Sequence, residues 1–372
     1  DKDAPCMAET YRYYDEKGIP HMDLFEFGHD KKRFLADYAR FLFRLGRGAF
    51  GDLRAFGPDF HLMAGKLFYR LHRDLLAVSR LKKLKLALVG YDFLFPCELS
   101  LALMLRGVRV CANQERLIQA FYPQTHMIFD HYFVAGKIVP ERGLRNSCIR
   151  RCIPVGLVRV DKLFECERRR APDEKYDGIK RTRKLVLALD YHAAESDYED
   201  ITRTVAKAAQ IRRFYADLMG LAREFPSLHI VVKGKIAEGY SNPAIAGIVG
   251  EMERLGNLEI ERDLARYGPY FLSEKADLTI ACHTSLADEL MAAGRKVLLY
   301  EVSDYLEMNF DYDRLPVVVK DLPGLRSHVR DFLNGTFMDG DRAGKLQSLY
   351  GNCFHGKVRS TIRAEIKRLL KD

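Results

Sequence analysis

The chain lacks the features of a membrane-spanning or zinc-binding protein. No apolar run approaches the roughly 20 residues that a membrane-spanning helix requires. No signal peptide is visible, although the first residue is Asp1 rather than methionine. The eight cysteines are scattered, and the closest pair, Cys148 and Cys152, has neither a second pair nor a histidine cluster at zinc-ligand spacing. We therefore expect reduced, buried thiols and a cytoplasmic protein.

Positive charge is what the sequence has in excess. The net charge is +9, and lysine and arginine concentrate in residues 44–47, 80–85, 168–170 and 180–184. This balance favours anionic partners, among them sugar nucleotides and anionic lipid headgroups. No zinc finger or RNP-type motif accompanies the basic runs, so nucleic acid is not an expected partner. We expect instead a peripheral position at the inner face of the cytoplasmic membrane.

The length of the chain predicts two domains. With 372 residues, it exceeds the usual size of one hydrophobic core, so two domains of about 150–200 residues are expected. Residues 164–183 are highly charged, contain proline and glycine, and are predicted to be the linker. The linker would separate an N-terminal Rossmann-like domain, 1–163, from a second Rossmann-like domain, 184–356. Residues 357–372 are predicted as a C-terminal helix that can cross back to the first domain.

Apolar runs alternate with helical periodicity along most of the chain, which predicts a repeated βα order and parallel sheets. The predicted strands lie at 21–27, 84–89, 108–112, 184–189, 228–232, 258–261, 278–282, 297–300 and 315–319. The predicted helices lie at 8–17, 30–43, 59–79, 97–106, 202–225, 286–294 and 357–370. The aromatic and basic residues of the helices at 30–43 and 59–79 favour packing on a sheet, with the Lys and Arg stems extending outward.

The most informative segment is 277–301, where a buried strand leads into polar residues, a helix and a second strand. Ser285 and Asp288 have the spacing of a capping box, which predicts a helix that begins at Leu286 and ends near Gly294. The free amides of this helix would face the carboxyl end of the strand. Ligands bind there in open α/β sheets, and a helix N-terminus favours an anion such as phosphate.

The segment 277–301 is also similar to a segment of a known protein family. His283, Thr284 and Ser285 would line the site, and the spacing Thr284-Ser285-x-x-x-Glu289-x-x-x-x-Gly294 resembles the donor-binding segment of GT-B glycosyltransferases. The resemblance implies two Rossmann-like domains that face each other across a cleft. It also implies that hydroxyls and amides meet the donor phosphate while Glu289 meets the ribose.

A second stretch is similar to the end of the N-terminal domain in surface-polysaccharide glycosyltransferases and CDP-glycerol transferases. It runs from Asp130 to Gly136 and continues through Pro154-Val155-Gly156 to Arg159-Val160-Asp161. The glycines permit close backbone turns, which a purely structural role would also require. We interpret this stretch as evidence for the fold rather than for the site.

Polar residues follow the predicted strands of the first domain. Asp92 follows one strand, and Asn113, Gln114, Glu115 and Arg116 follow the next. Strand ends carry the chemistry of doubly wound folds, so the last four residues are predicted to face the acceptor. In an inverting transferase Asp92 or Glu115 would be the general base. The alternatives are a turn acid for Asp92 and a surface ion pair for Glu115 and Arg116.

The second predicted domain contains further candidate site residues. Asp190 ends a strand and is the candidate nucleophile of a retaining transferase, with His192 as a proton shuttle or phosphate contact. The alternative for Asp190 is a helix N-cap. Lys233 and Arg262 also follow strands and would neutralise the leaving phosphate, although a lone lysine there is more often solvated.

Taken with the resemblance, the sequence predicts an α/β protein of GT-B fold. The implied activity is transfer of a sugar from a nucleotide-activated donor, CMP-Kdo or another acidic sugar, to a bacterial surface polysaccharide or lipopolysaccharide acceptor. GT-B transferases generally need no divalent metal, so neither a metal nor a cofactor is expected. Two alternatives stay open. One is a CDP-glycerol-type glycerophosphotransferase, which His192 and His283 would suit, and the other is a non-catalytic glycan- or nucleotide-binding module.

Overall fold

A computed structural model describes most of the chain. The described residues are 12, 14–18, 34–40, 58–90, 92, 95–115, 126–136, 144, 147–169, 173–190, 208–234, 237–263, 266–282, 284–302, 317–337 and 356–371.

Ten strands and ten labelled helices lie in these ranges. The strands are β1 (Leu86–Val89), β2 (Arg109–Asn113), β3 (Ile128–Val134), β4 (Cys148–Pro154), β5 (Lys184–Leu189), β6 (Leu228–Lys233), β7 (Leu258–Ile260), β8 (Leu278–Ala281), β9 (Val297–Tyr300) and β10 (Val318–Val319). The helices are α1 (Pro58–Val78), α2 (Cys97–Leu105), α3 (Val160–Arg168), α4 (Glu174–Lys180), α5 (Ala208–Glu224), α6 (Pro243–Met252), α7 (Pro269–Lys275), α8 (Leu286–Ala292), α9 (Leu322–Leu333) and α10 (Val358–Leu369). Residues 34–40 are also helical, and Ala237–Ser241 form a 3₁₀ turn.

The strands form two sheets. The first has the order β1-β2-β3-β4, and the second has the order β10-β9-β8-β5-β6-β7. Strands β2 to β4 pair in parallel, as do all neighbours in the second sheet. Every residue of β6 and β8 is buried. Burial on both faces explains why these strands are continuous apolar runs in the sequence.

The second sheet reverses its strand order at β5. The chain adds β6 and then β7 on one side of β5, and β8, β9 and β10 follow on the other side. Helix α5 packs over this sheet, with Phe214 and Leu218 fully buried among Val186, Ile230 and Ile280. The point between β5 and β8 is therefore a topological switch point, where α/β sheets form a ligand crevice.

By internal contacts the chain divides into two compact units. One comprises Asp1–Ala87 and Phe95–Val110, and the other comprises Leu88–Leu94 and Cys111–Asp372. In the first unit α1 packs against α2, and the rings of Phe34 and Tyr38 contact Phe68 of α1. The second unit contains β3 to β10, so every contact described below for the site lies within it. The predicted domain boundaries at 163 and 184 stay a prediction.

Most predicted elements in the described ranges are confirmed. Strands β5 and β9 have the predicted bounds, and β6, β7 and β8 end within one residue of them. The predicted linker is not an irregular segment, because α3 ends in it and α4 lies wholly inside it. The predicted strand at 21–27 lies outside the described residues, and the helices predicted at 8–17, 30–43 and 202–225 are described only in part.

The C-terminal helix α10 is fastened to α3. Asp161, which is buried, accepts hydrogen bonds from the backbone amides of Val358 and Arg359 at 3.0 and 2.8 Å. The Arg359 guanidinium also reaches Glu165, one turn further along α3, at 2.7 Å. An aspartate distant in sequence thus serves as the N-terminal cap of α10. Within the described residues, no helix is both long enough and apolar enough to span a bilayer.

Candidate active site

The candidate site is built around Arg159, which follows β4 and precedes α3. Its guanidinium donates a hydrogen bond to Glu115, which lies just after β2. A second terminal nitrogen of the same group lies 3.8 Å from Glu289 Oε1, in the helix that follows β8. The Glu115 and Glu289 side chains are 7% and 5% exposed, whereas Arg159 is 43% exposed. One partly solvated cation therefore joins two buried acids from the carboxyl ends of the two sheets.

Tyr270 completes this cluster. Its hydroxyl donates to Glu289 Oε2 at 2.7 Å. Burial raises the pKa of Tyr270, and the nearby Glu289 carboxylate raises it further, so the phenol keeps its proton and remains a donor. Both oxygens of Glu289 therefore face a positive or donating group. Its predicted role as the ribose contact stays a prediction.

The start of α8 differs from the prediction in one respect. The helix begins at Leu286, as predicted, and Gly294 ends it with a φ of +73°. The predicted capping box is wrong, because Ser285 has a helical backbone (φ −65°, ψ −16°) and its side chain makes no capping hydrogen bond. Thr284 Oγ1 instead accepts from the Leu286 amide at 3.3 Å. A capping side chain normally needs an extended backbone, which explains the failure of Ser285.

A second acidic cluster surrounds Asp190, directly after β5. Asp190 Oδ2 accepts a hydrogen bond from the hydroxyl of Tyr215 in α5. Oδ1 is buried and accepts no hydrogen bond from any described residue. Burial raises the pKa of Asp190 to about 6, against the opposing effects of the Tyr215 hydrogen bond and the Lys233 charge. Among the described residues, Asp190 has no direct cationic partner comparable with Arg159.

Gly234 packs against Asp190 and Tyr240 in the same cluster. Its amide donates to the hydroxyl of Tyr240. A Cβ atom at Gly234 would lie 2.8 Å from both Asp190 Oδ1 and the Tyr240 hydroxyl. The residue after Lys233 must therefore lack a side chain for this packing to form.

The two cations predicted to meet a leaving phosphate both have other contacts. The Lys233 ammonium is buried and donates to the Gly234 carbonyl at 2.8 Å. Burial lowers the pKa of Lys233, while Asp190 and Glu261 act in the opposite direction. Arg262 is half exposed, pairs with Glu253 at 2.7 Å and lies over the Tyr240 ring. Neither cation contacts Arg159 or its acids.

The remaining predicted residues of the first sheet are largely structural in their contacts. Asp92 is fully buried and accepts from the hydroxyl of Tyr132 in β3. Gln114 is buried, and its side-chain oxygen accepts from the Ala135 amide at 2.7 Å. Asn113 is the last residue of β2 and pairs in register with Phe133. The other predicted site residues, Arg116, His192 and His283, lie outside the described residues.

Sequence reasoning missed four members of these clusters: Arg159, Tyr215, Tyr240 and Tyr270. Arg159 follows a strand, so it carried the same signal as the residues that were chosen, but its segment was interpreted as fold evidence only. The tyrosines lie in helices or turns, where an aromatic side chain usually indicates core packing. Their hydroxyls acquire a role only because the fold brings carboxylates to them.

Comparisons with known proteins agree with this architecture. No known protein family matches the chain, and no curated protein is similar to it in sequence. Several solved structures are similar in fold. MnaA from S. aureus, solved with UDP, has 11% identity and a TM-score of 0.51, covering 82% of this chain and 79% of its own.

Two further structures are UDP-GlcNAc 2-epimerases. The enzyme from Neisseria meningitidis, bound to UDP-GlcNAc, has 12% identity and a TM-score of 0.51, with 81% of each chain covered. The enzyme from Methanocaldococcus jannaschii has 11% identity and a TM-score of 0.51, covering 81% of this chain and 82% of its own. The protein therefore has an α/β fold of the GT-B class, as predicted. At this level of identity the likeness establishes the fold alone.

Proposed function

We propose that the protein is a GT-B enzyme that transfers a sugar from a nucleotide-activated donor to a glycan or glycolipid acceptor. One observation carries the proposal. Arg159 joins an acid at the carboxyl end of the first sheet to an acid in the helix that follows β8, beside the switch point of the second sheet. A transfer site needs a cation for the leaving phosphate and a carboxylate for the acceptor hydroxyl, and this cluster contains both.

In the proposed mechanism Glu115 is the general base. Asp92 is less suited because it is fully buried and bonded to Tyr132, whereas Glu115 adjoins the partly solvated Arg159. Glu115 takes the proton of the acceptor hydroxyl, whose oxygen bonds to the anomeric carbon. The bond from that carbon to the phosphate oxygen breaks, and the nucleotide leaves with the electron pair. Thr284, Ser285 and Glu289 remain the predicted nucleotide contacts, and no step requires a metal.

The choice of donor is supported only by similarity. Structures of this fold include proteins solved with UDP and with UDP-GlcNAc, so UDP-sugars are the first donors to test. The basic chain suits CMP-linked acidic sugars as well, and CDP-glycerol tests the phosphotransferase alternative. A thermal-shift panel of UDP, CDP, CMP, GDP and ADP separates these classes. A ligand at about 100 times its dissociation constant stabilises a fold by roughly 2.7 kcal/mol.

Epimerisation of a nucleotide sugar is a second candidate, favoured by the 2-epimerases among the similar structures. The two reactions differ in which bond breaks. Transfer releases free nucleotide, whereas epimerisation retains it and exchanges a carbon-bound hydrogen with solvent. Incubation of the donor in D2O, with nucleotide release and deuterium incorporation both measured, distinguishes them. Deuterium incorporation without release would replace our proposal by the second candidate.

A matched pair of variants tests the assigned base. Glu115→Gln should lower turnover by roughly 100-fold or more, the usual contribution of a general base. Glu167→Gln is the control, because Glu167 lies on α3 and pairs with Arg295 at 3.2 Å, away from the cluster. If both variants keep near-full turnover, the assignment of Glu115 is wrong. If the wild-type protein binds no nucleotide in the panel, the proposed function itself fails.

The proposed membrane-linked acceptor suggests a surface on α1. Leu62, Met63 and Leu67 are 59%, 62% and 50% exposed. By their spacing in the sequence, Lys66 and Arg70 lie on the same side of the helix as these three residues. Apolar residues with interleaved cations suit an anionic lipid interface. Replacing the three apolar residues by serine should reduce sedimentation with anionic vesicles at least fivefold. Leu370→Ser, at a 49% exposed leucine, is the control and should have no effect.

A further inference from the structure

We infer that Arg159 is a catalytic residue that pairs with Glu115 until a donor binds and then contacts the donor's phosphate. This inference deepens the proposed function and rests on it. Arg159 pairs with Glu115. With the donor in place, its charge would be shared with phosphate, and Glu115 would become the stronger base. Donor binding would thereby activate the carboxylate that deprotonates the acceptor.

The contacts of Arg159 suit such an exchange. Its two acids are buried, but the guanidinium itself is 43% exposed. An anion that arrives from solvent therefore meets the cation before it meets either carboxylate. A guanidinium has five N–H donors in a planar fork that matches phosphate geometry. The contact to Glu115 is a hydrogen bond, whereas the approach to Glu289 at 3.8 Å is a looser electrostatic contact.

The position of Arg159 in the chain also suits the role. It lies at the last turn before α3, between an element of the first sheet and the helix that contacts α7 and α8. Glu289 is held separately by Tyr270 at 2.7 Å. A shift of the guanidinium would therefore leave Glu289 with the Tyr270 donor, whereas Glu115 would no longer face the Arg159 charge. The exchange therefore changes the electrostatic environment of Glu115, the proposed base.

The chemical effect follows from electrostatics. A carboxylate beside a guanidinium has a low affinity for a proton, since the cation favours the charged form. When the cation is shared with phosphate, the carboxylate binds a proton more readily. The acceptor proton then passes to Glu115, while Arg159 stabilises the charge that develops on the departing phosphate oxygen. The same residue thus restrains the base before donor binding and assists the leaving group after it.

Variants of Arg159 test the inference in the full-length chain. Arg159→Gln removes the charge, and Arg159→Lys keeps it but loses the planar fork. Arg295→Gln is the matched control, because it removes an ion pair to α3, that of Arg295 with Glu167, without touching the site. The nucleoside diphosphate that wins the thermal-shift panel and its parent nucleoside serve as probes by calorimetry. Turnover is measured with the corresponding donor.

We expect Arg159→Gln to bind the nucleoside diphosphate at least 10-fold more weakly and to bind the nucleoside within twofold of wild type. Its kcat should fall at least 100-fold. Arg159→Lys should fold as the wild type does, lose about 10-fold in kcat and retain most of the affinity. Guanidinium chloride, at tens of millimolar, should restore part of the turnover of Arg159→Ala.

Two results would overturn the inference. One is equal weakening of nucleoside and nucleoside diphosphate binding by Arg159→Gln. The other is Arg159→Lys that behaves like Arg295→Gln in kcat and affinity, in which case Arg159 is a structural ion pair. If Arg159→Gln does not fold, Arg159→Lys decides the matter. A wild-type protein that binds no nucleotide would overturn the proposed function and this inference together, whereas the first two results leave the proposed function intact.

Discussion

The two acidic clusters at the sheet ends differ in the kind of group that faces the buried carboxylate. Glu115 and Glu289 share one cationic partner, the guanidinium of Arg159. Asp190 is buried to a similar extent, but within the described residues its Oδ2 accepts a hydrogen bond from a tyrosine hydroxyl and not from a cation. A cation keeps a buried acid ionised, whereas a hydroxyl accommodates either form. The two clusters therefore differ in whether a cation or a hydroxyl group faces the buried carboxylate.

The largest expected effect is on the charged cluster. Arg159→Met leaves two buried carboxylates without their cation, and the free energy of unfolding should fall by about 3–4 kcal/mol, at the low end for broken buried pairs because Arg159 is partly solvated. Urea unfolding at pH 7 measures this. Adding Glu115→Gln to the same chain should recover part of the loss. A double variant no more stable than the single one would show that charge is not the cause.

The next effect, with the opposite sign, is on Asp190. Its pKa is raised from 3.8 to about 6 in the folded protein, so the folded protein binds more protons than the unfolded chain between these values. Stability contributed by protonated Asp190 is fully present below pH 4 and is lost as the pH rises through about 6. Relative to wild type, Asp190→Asn should thus gain roughly 2–2.5 kcal/mol between pH 4 and pH 7. Unfolding curves that differ by a constant amount over this range would contradict the prediction.

The smallest effects compare the two tyrosine hydroxyls. Tyr270→Phe removes a hydrogen-bond donor from Glu289, which also faces Arg159, and should destabilise the protein by about 1–2 kcal/mol at pH 5 and pH 8 alike. Tyr215→Phe removes the hydrogen bond that lowers the pKa of Asp190, so the acid is protonated to a higher pH. Its cost should therefore be smaller at pH 5 than at pH 8. Equal costs at the two pH values for Tyr215→Phe would remove the distinction between the clusters.

The sequence predicts an element well when the element's own residue pattern reflects what stabilises it, and poorly when contacts with distant residues stabilise it. Strands β5 and β9 were predicted at their observed bounds, because burial on both faces makes them apolar runs. Helix α4 was missed, since its charged residues become stabilising only against distant elements. Lys275 contacts Asp177 at 2.8 Å and Tyr176 donates to Glu261 at 2.6 Å. No local pattern records such partners.

The candidate site shows the same limit. Strand ends located Glu115 and Asp190, and the segment after β8 located Glu289, because parallel strands present their carboxyl ends at one edge. The sequence could not show that Arg159 would lie between Glu115 and Glu289, which depends on the packing of α3 against α8. Nor could it show that Thr284 rather than Ser285 bonds to the first amide of α8. That choice depends on one pair of backbone angles.

The cap that Asp161 supplies to α10 also bears on how the protein is made. The two amides that satisfy its carboxylate belong to residues 197 and 198 positions later in the chain. At 5–20 residues per second, the ribosome needs about 10–40 s to reach them. During that interval α3 carries an unsatisfied acid on the surface that will be covered. The cap of α10 can therefore form only after this segment has been synthesised, well after α3 itself.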